Sequence, residues 1–307
     1  MGGVLLGFTT IGAVIALGAL LAHLEIVDIS AQILLSRLAF FVGSPALMVM
    51  TIGEADVHEV LSHNLVASAV AVLVTGALYL AGARWLWHHE VPEAVIGTLT
   101  ATYVNAGNLG IPIAAYVLGD AALVAPTLLM QMLVLQPLAT GILDRHTRGT
   151  PRGIGRSLLQ VVGNPLTAGS LVGLLLALTG WRLPTFVANP VGLLADLAVP
   201  GMLLAYGIAL RLGPGFGGEG ALGEVLSASS LKLAVQPAVA WFVAHWLLGV
   251  DGTALFAIVV TSALPTAQNI FVHATRYGRG QTMARDTILL TTMGSVPVIL
   301  LIAVLLG

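Results

Sequence analysis

The sequence predicts an all-α integral membrane protein with ten transmembrane helices, and three observations carry that prediction. Of its 307 residues 57% are hydrophobic and only 8% charged, against about 25% charged in a soluble domain. The apolar runs far exceed the roughly 9–11 residues of a barrel strand and show no period-two alternation, so the backbone must satisfy itself inside helices. With a ruler of about 20 residues per crossing, the chain yields ten such runs.

The first span covers about residues 3–23; it has no basic leader and no small-residue cleavage pattern, and reads as a true helix. Span two runs over about 31–52 and contains Pro45, span three over about 65–87, span four over about 93–118 and span five over about 121–142. The longest polar connection, Asp144 to Arg156, then divides the chain nearly in half, into a first repeat (1–142), a linker (143–157) and a second repeat (158–307). Span six follows at about 158–180, opening near Asn164-Pro165, and span seven at about 186–211 contains Pro200. Spans eight, nine and ten are expected at about 222–248, 252–275 and 283–306. The glycine-rich tract at 213–220 reads as a connector, since no strand precedes it and no lysine accompanies it.

Charge tests this count independently. Ten alternating spans put Arg84, Arg211, Arg276, Arg279 and Arg285 on the same side as the Arg145, Arg148, Arg152 and Arg156 linker, with Arg182 alone opposite. The opposite connections carry Glu54, Asp56, Glu59, Asp120 and Asp251 instead. By the positive-inside rule the linker is cytoplasmic and both termini are outside, in a multi-pass protein of the cell membrane. A net charge of −2 leaves no nucleic-acid footprint. The absence of cysteine removes thiol catalysis and thiolate metal sites, and no zinc-hydrolase, phosphate-loop or nucleophile-elbow motif occurs. The chain is therefore expected not to be an enzyme and to hold no resident metal or cofactor.

The candidate site comes from polar breaks in apolar spans. Span four carries T-Y-V-N-A-G-N-L-G-I-P-I-A-A-Y, with Asn105, Asn108 and Pro112; span nine carries L-P-T-A-Q-N-I-F-V-H, with Pro265, Gln268, Asn269 and His273. Glycine and proline weaken a helix there, and lipid satisfies none of the freed backbone groups, so the breaks must face protein or a wet cavity. The breaks are offset by 159 residues and Pro45 and Pro200 by 155, so each half carries its features at matching positions. Five spans per repeat force the second copy to run inverted, a common transporter plan in which two broken helices meet at mid-membrane. Half-helix N-termini there suit a carboxylate and half-helix C-termini a cation. The asparagines and Gln268 supply hydrogen bonds without the cost of a buried charge. Lys232 lies roughly 15 Å into span eight, too deep to snorkel easily, and is a candidate partner for an anion or an interhelical structural group. Asp196 and His273 are the candidate coupling residues, each with a structural alternative. Arg37, Arg285 and Asp286 sit near predicted helix ends, where their charges reach the interface.

These residues resemble the auxin efflux carrier family in its short prokaryotic form. The resemblance runs over nearly all the chain and rests on N-x-G-N-x-G-x-P at Asn105–Pro112, Asn164-Pro165, the Pro200 helix, and L-P-T-A-x-x-I-F-V-x-A-x-x-Y at Leu264–Tyr277. It implies a fold similar to the bile acid sodium symporters: two inverted five-helix repeats with helices 4 and 9 broken and crossing. It further implies a scaffold domain of helices 1, 2, 6 and 7, joined as a homodimer, and a transport domain of helices 3–5 and 8–10. The substrate would be an organic anion, auxin-like or dicarboxylic, moved by an elevator shift. Asn105, Asn108, Pro112, Pro265, Gln268 and Asn269 match the crossover region. Coupling to H+ or Na+ stays open, but neither break contains a carboxylate, unlike sodium coupling of the bile acid type. The expected function is secondary transport of a small organic anion; a sodium-coupled bile acid-type symporter and a non-transporting membrane sensor are the alternatives.

Overall fold

In the computed structural model, residues 2–54, 63–148, 165–212 and 222–307 are described. Asp56, Glu59, Arg152, Arg156, Asn164 and the tract at 213–220 lie outside them. The described residues are helical, with one isolated antiparallel bridge between Val104 and Thr266. In chain order the helices are α1 (Gly2–His23), α2 (Ile29–Glu54), α3 (His63–Trp85), α4 (Val91–Thr102), α5 (Ala106–Leu118) and α6 (Ala121–Thr147). They continue as α7 (Pro165–Thr179), α8 (Thr185–Leu212), α9 (Leu222–Leu247), α10 (Gly252–Ser262), α11 (Asn269–Tyr277) and α12 (Gln281–Leu306). Six of these, α2, α3, α6, α8, α9 and α12, are each long and apolar enough to cross a membrane.

One expectation is corrected: the polar connection is expected from Asp144, but α6 continues past it; Asp144 is buried, and its Oδ1 accepts the Tyr277 hydroxyl at 2.9 Å, so the charge is held inside a helix pair. The interruption in span four falls inside the expected stretch, at its N-terminal end, Tyr103–Asn105. Pro112 sits within α5, where turns wider than α-helical on either side absorb its missing N–H.

The chain forms two compact units. One contains α1, α2, α5, the start of α6, α7 and α8; the other contains α3, α4, the rest of α6, and α9 to α12. In the first unit α2 packs along α7, and α1 along the second half of α8. A Cβ on Gly18 would strike the Leu204 carbonyl and one on Gly207 the Ile15 carbonyl, so these two glycines let the α1 and α8 backbones touch. Asp28 caps α2, and the N–H groups of Ala31 and Ser30 hold its carboxyl below the usual carboxylate range. Pro45 is tolerated in α2 because a widened turn at Ala39–Gly43 precedes it, with the Ser44 N–H bonded to the Ala39 carbonyl. α8 is interrupted at Asp196–Leu197, so Pro200 falls in the first turn of its second segment, where no hydrogen bond is lost. Asp196 is exposed at that interruption.

In the second unit α4 is the central helix. Tyr79, Ala83, Ala101, Val225, Ala228 and Met283 pack α3, α4, α9 and α12 together. Leu99, Tyr103, Ala139, Ala267 and Ile270 join the end of α4 to α6 and to the start of α11. Large apolar side chains such as Leu73, Met293 and Leu305 point outward, the surface expected of helices packed through small residues and solvated by lipid.

Candidate functional site

The second unit is built around two chain breaks that cross. Residues 103–105 leave α4 in extended form and run antiparallel to residues 265–267, which lead into α11. The Asn105 N–H donates to the Pro265 carbonyl at 2.7 Å, and the Ala267 N–H to the Tyr103 carbonyl at 3.1 Å. Pro265 has no N–H to place, so it fits a strand-like segment that bonds through its carbonyl alone.

A break in a helix leaves backbone groups without intrahelical partners, and polar side chains here take them up. Gln131 of α6 is buried and clamps Val104 at both ends: its Oε1 accepts the Val104 N–H at 2.6 Å and its Nε2 donates to the Val104 carbonyl at 3.1 Å. The Thr266 hydroxyl donates to the Thr100 carbonyl at 2.7 Å, while the Thr266 N–H donates to the Thr291 hydroxyl at 3.1 Å. The Thr102 carbonyl, at the C-terminal end of α4, receives two donors: Lys232 Nζ at 3.2 Å and Gln236 Nε2 at 3.1 Å. Lys232 also donates to Gln236 Oε1 at 2.8 Å and is fully buried. A cation at a helix C-terminus meets the negative end of the helix dipole. Among the described residues, the hydrogen-bond partners of this ammonium are a carbonyl and an amide oxygen, not a carboxylate.

On the other side of the crossing, α11 begins at Asn269, partly buried beside the Tyr103 hydroxyl. That hydroxyl donates to Gln136 Oε1 at 3.4 Å. Asn269 Oδ1 is buried and has no hydrogen-bond partner among the described residues. Gln268 precedes it, and His273 lies half-buried one turn further along α11.

Of the candidate residues, Asn105, Lys232, Pro265, Gln268, Asn269 and His273 belong to this unit, and all but His273 lie at or next to the crossing. Asn108 and Pro112, in α5, and Asp196, in α8, belong to the first unit. Asn108 is partly buried and Pro112 buried. Three glutamines escaped the sequence reading: Gln131, Gln136 and Gln236. Their signal was a repeated local pattern, Q-M-L-V-L-Q-P at 131–137 and L-K-L-A-V-Q-P at 231–237. Each is a widened turn ahead of Gln-Pro, and each turns polar side chains onto the crossing.

A family model described as membrane transport protein matches residues 9–303. The chain is 26% identical to a putative malonate transporter of Rhizobium meliloti (strain 1021) over 271 residues, 85% of this chain and 83% of that protein. It is 25% identical to an uncharacterized transporter of Methanothermobacter thermautotrophicus over 259 residues, 82% of each. Over 152 residues it is 27% identical to auxin efflux carrier component 3a of Oryza sativa subsp. japonica, covering 48% of this chain and 24% of that one. A family match over almost the whole sequence leads to one conclusion: the chain belongs to the membrane transport protein family of the auxin efflux carriers, whose members are transporters and not enzymes.

Proposed function

We propose that the protein is a secondary transporter of small organic anions, dicarboxylates of the malonate type foremost, with the crossing of the second unit as its substrate site. The observation that carries this reading is the fully buried Lys232 amino group at the crossing, bonded to neutral acceptors only among the described residues. A buried charge is costly unless an opposite charge meets it, and a bound carboxylate would supply one. The N-terminus of α11, with its partial positive charge, and the amide groups of Asn105, Gln268 and Asn269 add donors suited to carboxylate oxygens. Malonate enters as the first substrate to test through the relative that bears its name.

The wider architecture belongs to the same proposal. Ten spans in two inverted repeats would place span four as α4 with α5 and span nine as α10 with α11, the linker cytoplasmic and both termini outside. An elevator-type cycle, in which spans 3–5 and 8–10 carry the substrate and spans 1, 2, 6 and 7 serve as a scaffold and homodimer surface, is part of that proposal. The two compact units divide the chain differently, with α5 and the start of α6 beside α1, α2, α7 and α8 in the first. Asn108 and Pro112, substrate-binding candidates from the sequence, lie in α5 of the first unit. Asp196 and His273 are candidates for an H+ or Na+ coupling step.

The test is a thermal-shift titration of purified protein with malonate, an auxin-type indole carboxylate and a bile acid, with and without sodium. A ligand that binds the folded state raises its apparent stability by mass action. The expected result is stabilisation by malonate that needs no sodium and is lost in Lys232→Met, which itself stays folded. Stabilisation by a bile acid only with sodium would establish the symporter alternative, and equal malonate stabilisation of Lys232→Met would remove the lysine from the site.

A further inference from the structure

We propose that His89 is a proton-binding site that couples transport to the pH gradient; this deepens the proposed function and rests on it. The site lies in the second unit, away from the crossing, where α3 ends and α4 and α9 begin. His89 Nε2 is 2.9 Å from Glu224 Oε1, and His89 Nδ1 is 3.7 Å from Glu93 Oε2. The same Glu224 oxygen accepts the hydroxyl of the fully buried Tyr79. Glu93 in turn accepts Arg279 Nη1 at 3.1 Å, and Glu90 lies 3.3 Å from Arg279 Nη2.

Both ring nitrogens of His89 therefore face carboxylates. A neutral imidazole has one N–H, so one of the two carboxylates meets a lone pair; an imidazolium presents an N–H to each, hydrogen-bonded to Glu224 at 2.9 Å and ion-paired with Glu93 at 3.7 Å. Three carboxylates against one guanidinium leave the cluster two negative charges in excess, and one bound proton halves that excess. Glu224 is only 7% exposed, so its charge cannot be met by bulk water and depends on these two donors.

The surrounding chain holds the ring in place. His88 takes a left-handed backbone conformation at φ 54°, a conformation with a cost in free energy for a residue other than glycine. The turn it makes lets the His89 N–H bond the Ala83 carbonyl at 2.9 Å and sets Trp87 between the Tyr79 and His89 rings, at 5.5 and 6.0 Å. Gly97 of α4 leaves the space that the Tyr79 hydroxyl occupies on its way to Glu224. The other charged or titratable groups on these and the adjoining elements are His63, Arg84 and His88 on and after α3, Asp144, Arg145 and His146 on α6, Lys232 and His245 on α9, His273 and Arg276 on α11, and Arg285, bonded to its neighbour Asp286 at 2.7 Å on α12. A cavity of about 480 Å³ lined by Glu90, Pro92, His146 and Arg279 opens beside the Arg279 pairs. Histidine changes charge between about pH 5 and 8, the range over which cells maintain proton gradients.

Two experiments test this. In liposomes, malonate uptake is followed at fixed external pH while internal pH is varied, so that the ionisation of external malonate stays constant. One coupled proton makes a one-unit gradient worth up to about tenfold in rate or accumulation. The expected result is a several-fold response in the wild type that falls to none in His89→Gln and in Glu224→Gln; a full response in His89→Gln overturns the proposal. Independently of any substrate, a pH-jump infrared difference spectrum of purified protein should contain a carboxylate band that both Glu224→Gln and His89→Gln remove. Its persistence in His89→Gln overturns the proposal as well. Should the wild type move no malonate while the infrared band behaves as expected, the dicarboxylate reading has failed and the proton site stands.

Discussion

Single side chains complete what two backbone hydrogen bonds begin at the crossing of the second unit. Gln131 satisfies both polar groups of Val104, and Lys232 with Gln236 satisfies the Thr102 carbonyl. Gln131→Leu keeps the size but orphans two buried backbone groups, at about 1–3 kcal/mol each. We expect that variant to lower the unfolding temperature of the detergent-solubilised protein markedly, whereas Gln136→Leu, which loses one long bond, changes it little. Lys232 was visible in the sequence because a charge in an apolar run has few explanations. The glutamines were not, since an uncharged amide barely alters hydropathy and its partners, Val104 and Thr102, lie 27 and 134 residues away in sequence. His89 and Glu224 were hidden for a different reason. They stand near helix ends, where polar residues are ordinary, and only the fold brings them within 2.9 Å.

At the scale of elements, hydropathy located the ends of α2, α3, α8, α9 and α12 to within a few residues, because span length follows bilayer thickness and apolar content. The exception has a local cause: Asp144 is accepted inside a helix by Tyr277. The break of span four lies within the stretch marked by its asparagines, glycines and proline, and begins at Tyr103, where the partner segment supplies hydrogen bonds. Close helix approaches depend on residues with no side chain, as at Gly97 of α4. Alanine there gains helix propensity, about 1 kcal/mol, but drives its methyl into the Tyr79 ring and hydroxyl, and overpacking costs about 1–3 kcal/mol. Gly97→Ala is therefore expected to destabilise the protein, and the loss to disappear in a Tyr79→Ala background. Additive effects in that double-mutant cycle would show that the two residues do not share the space.

The whole molecule combines a membrane-embedded all-helical chain, two compact units and a family whose members are transporters. Function at this scale is movement of a solute, and binding alone does not establish it. A membrane sensor would bind malonate and move none. Solute movement is tested most directly by exchange of radiolabelled malonate across liposomes containing the purified protein. Saturable exchange is expected in the wild type and is abolished in Asn108→Ala and in Asn269→Ala, both still folded and inserted. Full exchange by both variants, or malonate binding without any exchange by the wild type, would contradict the proposed function.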